Sequence, residues 1–307
     1  MTYRKLVVIC GPTGSGKGRL AFDLAERLGG EIILADSRKI YRGLNIGTAK
    51  PSAEQRQRVH YHLLDCCEPT EHFSAARYQQ LADQAVKDIW ARSRVAIVCG
   101  GTGLYIRTLL HGIIETPPRQ PELRRRLEQM EKNHPGSLYR RLLEQDQVTA
   151  RRLSPRDTVR LVRALEVLEI TGKPISIFQE GHRFGPWRYQ ARLFAPLWPR
   201  EELYRRIEER VDAMLRAGWR NEVHQLVQHG LGETPALKTI GYRELVRELW
   251  GEISGQECRE LIVREHRRYA RRQGVWFRAE PGVEWLPVPI EADSLAEEIA
   301  SFLKRDQ

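Results

Sequence analysis

Cysteine is scarce in this chain and poorly spaced for cross-linking. The five residues, Cys10, Cys66, Cys67, Cys99 and Cys258, form no C-x-x-C pair and are odd in number. Neither a disulfide framework nor a structural zinc site is therefore expected. Long apolar runs are also missing, and none approaches the roughly 20 residues that span a bilayer. The N-terminal apolar stretch is short, lacks a small-residue cleavage site and runs directly into a glycine-rich loop, unlike a signal peptide. No membrane attachment is expected, and the cytoplasm is the expected location. Acidic charge is in deficit: 40 Asp and Glu face 50 Lys and Arg, for a net charge of +10. There is no internal repeat and no low-complexity tract.

The 307 residues are 41% hydrophobic and 29% charged, an ordinary balance for a globular protein with room for one large or two modest domains. The basic excess admits two readings, a solvated surface or a polyanionic partner. Its arginines are unevenly placed: Arg124-Arg125-Arg126, Arg140-Arg141 and Arg151-Arg152 fall in a middle segment, and Arg264, Arg267, Arg268, Arg271 and Arg272 on one late helix. That grouping favours a shaped binding face.

The most informative stretch is the apolar run Leu6–Ile9 followed by Gly11-Pro12-Thr13-Gly14-Ser15-Gly16-Lys17. It fits the first seven positions of G-x-x-x-x-G-K-[ST]. Glycines let successive backbone N–H groups turn inward around a diphosphate, and the lysine adds a point charge at a helix N-terminus. The eighth position is Gly18, so the hydroxyl that normally helps to hold Mg²⁺ is missing. Strand-like runs at Leu6–Ile9, Glu31–Leu34 and Val95–Val98 alternate with helical patterns at Lys17–Leu28 and Ala75–Arg92. This alternation predicts an α/β fold with a parallel sheet flanked by helices, whose ligands sit beyond the carboxyl ends of the strands. Cys10–Lys17, Asp36 and Thr102 all follow strand ends, so three loops should converge. Thr116–Pro121 breaks the pattern, and only helical signals follow to about residue 180. Ser154-Pro155-Arg156-Asp157 reads as an N-cap, a first-position proline and an acid opening a helix that Gly172 ends. A loop over Gly181–Tyr189 leads to Leu193-Phe194-Ala195, read as the last strand, and long helices follow at Arg200–Ala217, Glu222–His229, Tyr242–Leu249 and Gln256–Arg272. The expected organisation is a P-loop NTPase-like core over 1–116 and 190–307 and an all-helical insertion over 117–189.

Further motifs are rarer. They are Asp36-Ser37, Ile46-Gly47-Thr48-Ala49-Lys50-Pro51, His62-Leu63-Leu64-Asp65, Gly100-Gly101-Thr102-Gly103-Leu104-Tyr105, Arg163–Val167, Thr171–Pro174, Arg206–Arg210, Ile240-Gly241-Tyr242 and Tyr269–Gln273. This ordered set resembles the bacterial tRNA dimethylallyltransferase (tRNA isopentenyltransferase) family over essentially the whole chain. The resemblance implies transfer of a dimethylallyl group from dimethylallyl diphosphate to N6 of adenosine 37, beside the anticodon in tRNA. It implies Mg²⁺ as cofactor and the tRNA anticodon stem-loop as partner, and a monomer is the default expectation. Gly11, Pro12, Thr13, Gly14, Ser15, Gly16, Lys17, Gly18 and Arg210 would bind the diphosphate. Asp36 would be the general base, and Thr102 would position the amine or the diphosphate. Asp36, Ser37, Arg38, Lys39, Thr102, Arg124, Val159, Arg160, Leu161, Val162, Arg163, Lys238, Thr239, Ile240, Gly241, Tyr242 and Arg243 would contact tRNA. No metal ligands are assigned.

Other readings remain open: a tRNA-binding paralogue with little catalysis, a P-loop kinase of a small metabolite, and prenylation of free adenine nucleotides. Two lysines, Lys39 and Lys238, stand where the family usually carries glutamine, and Val275 stands for a threonine. Amides read base edges, whereas lysines supply charge. The chain is therefore expected to discriminate among anticodon-loop variants less sharply than a glutamine-bearing relative. Competition binding of such variants to both proteins tests this, and equal discrimination would refute it.

Overall fold

The computed structural model describes residues 5–182 and 185–304. Arg183 and Phe184, in the expected loop over Gly181–Tyr189, lie outside the described residues. In chain order the elements are β1 (Lys5–Cys10), α1 (Lys17–Leu28), β2 (Gly30–Leu34), α2 (Ala53–Arg58), β3 (Tyr61–His62), α3 (Ala75–Ala91), β4 (Val95–Gly100) and α4 (Gly103–His111). Five helices follow: α5 (Pro121–Asn133), α6 (Ser137–Gln145), α7 (Gln147–Arg152), α8 (Thr158–Thr171) and α9 (Ile175–His182). The chain then forms β5 (Gln190–Leu197), α10 (Arg200–Arg216), α11 (Trp219–Gln228), α12 (Tyr242–Leu249), α13 (Gly255–Arg278), β6 (Val283–Pro287) and α14 (Ala292–Lys304).

The six strands make one parallel sheet in the order β3-β2-β4-β1-β5-β6. Every residue of β1, β2 and β4 is buried, as expected for strands covered on both faces. Alternation along β1 divides the core. Leu6 and Val8 pack with Tyr78, Val86, Ile106 and Leu109, whereas Val7 and Ile9 pack with Phe22, Leu24, Leu295 and Ile299. β5 is therefore not the last strand. β6 pairs outside it through Phe194↔Glu284 and Ala195↔Trp285. Its Val-Glu-Trp-Leu-Pro sequence is only half-buried, so it carries no continuous apolar run for a sequence reading to find.

The chain divides into two compact units, Met1–Leu110 with Trp187–Gln307, and His111–Pro186. The second is all helical, around Leu127, Leu138, Leu142, Leu161 and Leu165. Its helix α8 starts later than Ser154 suggests. Ser154 Oγ accepts from the Arg156 N–H and closes a turn, while Asp157 caps the helix by accepting from the Arg160 N–H. A carboxylate held against free N–H groups is the better cap here. Among the described residues no helix is long and apolar enough to cross a membrane.

A third core region in the first unit centres on Trp219, which is fully buried with Ile40, Val211 and Tyr242. A Cβ placed on Gly47 would lie 2.2 Å from this indole, and one on Gly241 would lie 2.0 Å from it. One tryptophan ring thus lies against the backbones of two separate sequence motifs, and Gly241 is constrained further by its φ of 89°. Gly47 has no positive φ, so overpacking alone should govern its substitution. Gly47→Ala is expected to lower stability by about 1–3 kcal/mol in chemical denaturation, whereas a surface substitution such as Ala76→Ser should leave the midpoint unchanged.

Candidate active site

The loop after β1 takes its shape from glycine. Gly11, Gly14 and Gly16 have φ of 126°, 82° and 85°, and Gly16 caps α1, conformations that side chains resist. The loop's outer wall comes from far along the chain. The Trp198 indole N–H donates to Ser15 O at 2.9 Å, and Arg206 Nε donates to Gly14 O at 3.1 Å while stacking on the Trp198 ring. A turn further along α10, Arg210 donates to Thr13 Oγ1 at 3.0 Å. Glu202 and Glu209, the surface partners Arg210 could have taken, pair with Arg205 instead.

A second bridge comes from α13. The Thr13 N–H donates to Gln273 Oε1 at 2.8 Å, and Gln273 Nε2 donates to Gly101 O at 2.8 Å. One buried amide thereby fixes the loops after β1 and β4. A Cβ at Gly101 would lie 2.2 Å from Gln273 Nε2, so a side chain there would displace this amide.

Asp36 follows β2. Its Oδ1 accepts the N–H groups of Arg38 and Lys39 at 2.9 and 3.3 Å, which leaves Oδ2 without a protein donor among the described residues. The Thr102 hydroxyl accepts from the Ser37 N–H at 3.0 Å, so Thr102 orders the Asp36 loop. Together these loops line a cleft of about 820 Å³ in the first unit. Of the residues expected from sequence, it collects Thr13, Gly14, Gly16, Lys17, Gly18, Asp36, Ser37, Arg38, Lys39, Arg210, Lys238, Thr239, Ile240 and Arg243. Gly11, Pro12, Ser15, Thr102, Gly241 and Tyr242 lie behind this lining. The Tyr242 side chain is fully buried and donates to Glu222, so it is a core residue, and no side-chain contact to tRNA is open to it.

In the second unit, Val159 and Arg160 are exposed, whereas Leu161 and Val162 are fully buried in its core. Those two side chains cannot meet a ligand. Arg163 and Arg124 both hold the buried Glu166, at 2.7 and 3.1 Å, and Arg163 also donates to Thr116 Oγ1 and Pro117 O. They brace the unit internally.

The cleft is electrically unbalanced. Lys17 donates to Pro12 O at 3.1 Å, and burial draws its pKa down to about 8. Burial likewise lowers Lys39 and Arg210, and Asp36 opposes the shift in each. His266 and Tyr269 also line this cleft, without having been singled out from the sequence as ligands. His266 donates Nδ1–H to Ile262 O, and burial lowers its pKa to about 4, so the ring is neutral. Its spacing on α13 with Gln273, seven residues or two turns on, was the available signal. The group of metal-ligating types among the described residues, Glu31, His60 and His62, lies outside the cleft lining. Arg92 and His62 already occupy its carboxylate.

A family model described as IPP transferase matches residues 39–280. The chain belongs to this family. A tRNA dimethylallyltransferase from Anaeromyxobacter dehalogenans is 48% identical over 296 residues, covering 96% of this chain and 99% of that protein. The full-length tRNA isopentenylpyrophosphate transferase from Bacillus halodurans aligns with a TM-score of 0.70 and 34% identity, over 98% of this chain and 95% of that one. A eukaryotic dimethylallyltransferase acting on tRNA aligns with a TM-score of 0.82 and 26% identity, over 97% of this chain and 77% of that one. The IPP transferase fold is thus a P-loop-like parallel sheet with flanking helices.

A titrating Lys17 gives this site a pH signature. Anion binding that needs the ammonium is intact below the free protein's pKa near 8 and weakens as pH rises through it. Phosphate groups only lose protons over that range, so the fall must come from the protein. Calorimetric affinity for inorganic diphosphate should drop between about pH 7 and 9, and Lys17→Met should flatten that profile.

Proposed function

We propose that the protein transfers the dimethylallyl group of dimethylallyl diphosphate to N6 of adenosine 37 in the tRNA anticodon stem-loop. One observation carries this reading: a carboxylate oxygen, Asp36 Oδ2, left free of protein donors in the same cleft as a cationic diphosphate loop. The allylic C–O bond breaks, and the diphosphate leaves with its electron pair. Lys17, Arg210 and the loop N–H groups take up the developing charge. The adenine amine forms the new C–N bond, and its proton passes to Asp36 Oδ2. Thr102, through Ser37, keeps that carboxylate in place. The exposed side chains of Lys238 and Arg243 at the cleft are suited to phosphates of an RNA whose target base is turned outward.

The expected Mg²⁺ is tested against the groups present. The cleft lining offers two carboxylates, Asp36 and Glu209, of which Glu209 is paired with Arg205, and no hydroxyl at position 18. Mg²⁺ is ordinarily bound through one or two carboxylates together with waters and substrate phosphates; Asp36 is the group here that would help to hold it beside a diphosphate, whose charge it would offset. The steps above use the chain's own residues alone.

Gly18 favours a second reading, a tRNA-binding paralogue with weak catalysis. A Cβ at Gly18 would meet nothing within 4 Å, so Gly18→Thr fits. A large gain in rate from it would mark a handicapped enzyme.

Incubation of the protein with unmodified tRNA, dimethylallyl diphosphate and Mg²⁺, then digestion and mass spectrometry, should reveal N6-dimethylallyladenosine. Asp36→Asn retains an acceptor for the Arg38 N–H and removes the base, and should lower the rate by about 10²–10⁴-fold. Tight tRNA binding with no product from the unaltered protein would refute the proposed reaction.

A further inference from the structure

We infer that a second hollow beside the active-site cleft, walled by Trp250, takes another unpaired base of the RNA whose target base enters the cleft. The inference rests on the proposed function, because its occupant is a loop nucleotide of the same tRNA. The hollow holds about 390 Å³ and lies in the first unit, between the α11–α12 connection, α12 and α13. That is within the range of about 300–1,000 Å³ usual for small-ligand pockets. Its base is apolar, since Leu237, Val246 and Leu261 line it and also pack in the core around Trp219. Trp250 stands at the end of α12, where its N–H donates to Val246 O at 3.0 Å. A Cβ built on Gly232 would lie 3.6 Å from Trp250 Cζ2, so the indole rests beside the turn after α11. The residue is nevertheless 51% exposed, and no other aromatic ring among the described residues stands so open to solvent. A flat apolar face laid on this ring would remove apolar surface from water at both partners.

Charge by itself selects no partner here. Lys238, Arg243, Arg247 and Arg264 share the lining with Glu233, Glu244 and Glu265. Glu244 is engaged by the Gly241 N–H and by Arg243, and Glu265 by Arg268 at 2.8 Å and Arg243 at 3.6 Å. Placement is what points to RNA. Lys238 and Arg243 line the main cleft as well, so they stand on the ridge between the two hollows. A strand with one base in each hollow would carry its connecting phosphates over that ridge. Both side chains are exposed there, and the Lys238 ammonium has no partner among the described residues. An apolar peptide side chain would use the indole and the apolar base but leave these two cations unaddressed. Single-stranded RNA uses all three features, because its bases stack on aromatic rings while basic groups track its backbone. Trp250 lies outside every motif that carries the family resemblance, so this contact adds to those expected for tRNA.

The test measures binding of the full chain to unmodified anticodon stem-loop RNAs, one complete and the others each lacking a single loop base other than the target adenine. Trp250→Ala should weaken binding of the complete loop by about tenfold, with inorganic diphosphate affinity and melting temperature unchanged. Trp250→Phe, which keeps a ring, should retain most of the affinity. With one of the abasic loops the unaltered protein and Trp250→Ala should bind equally, because the base that stacks is already gone. A merely structural role for Trp250 would not produce that coupling. Equal binding of the complete loop by Trp250→Ala, or a penalty that persists with every abasic loop, would overturn the inference and leave the proposed function intact. The hollow would then belong to an occupant other than RNA. Failure of the unaltered protein to bind the complete stem-loop would overturn both.

Discussion

The side-chain amide of Gln273 is the interaction on which the site depends. It accepts from the loop after β1 and donates to the loop after β4, and it is buried while doing both. Neither loop has regular hydrogen bonding at that point, so each would otherwise leave a backbone polar group unpaired, a cost of about 1–3 kcal/mol apiece. Because Gln273 sits far along α13, the phosphate loop takes its final shape only when the C-terminal helices have packed. Trp198 and Arg206 act in the same sense from the loop before α10 and from α10 itself. A short motif near the N-terminus is therefore completed by residues about 180 to 260 positions away.

That dependence explains what could be read from the sequence. The apolar strands β1, β2 and β4 and the glycine loop carry local signals, since burial on both faces and positive φ restrict residue type directly. The convergence of Asp36, Thr102 and the loop followed from strand ends alone. The bridges were not legible. Gln273 stands in the motif Tyr269–Gln273, but neither it nor Trp198 carries a local sign of its distant partner. β6 was missed because an edge strand need bury only part of its surface. The Ser154 cap was misread because Ser-Pro also closes a turn, and Asp157 three residues on holds the helix N–H groups. Leu161 and Val162 show the limit of carrying residues over by motif: position in a motif does not place a side chain on the surface.

Glycines illustrate how distant packing is written into local sequence. Gly47 and Gly241 are separated by nearly two hundred residues, yet the Trp219 ring forbids a side chain at both. Gly101 and Gly103 face Gln273 and Trp276 of α13 in the same way, at 2.2 and 2.1 Å from a would-be Cβ. These motifs are best understood as imprints of three large side chains on the backbone facing them. Gly241 has a positive φ as well, so packing and conformation restrict it together.

The same packing fixes the electrostatics. Gln273, Arg206 and Trp198 hold the loop beside which Lys17, Arg210 and Lys39 gather in one cleft. Burial then lowers all three, and one, Lys17, reaches a range where it can lose its proton near neutral pH. A multiply charged anion entering such a site would offset the repulsion among these cations. The anion's affinity thus draws on repulsion that the fold already maintains. In the proposed reaction the charge developing on a departing diphosphate would strengthen the same contacts further, which is the condition for a binding site to favour bond breaking over mere retention of the donor.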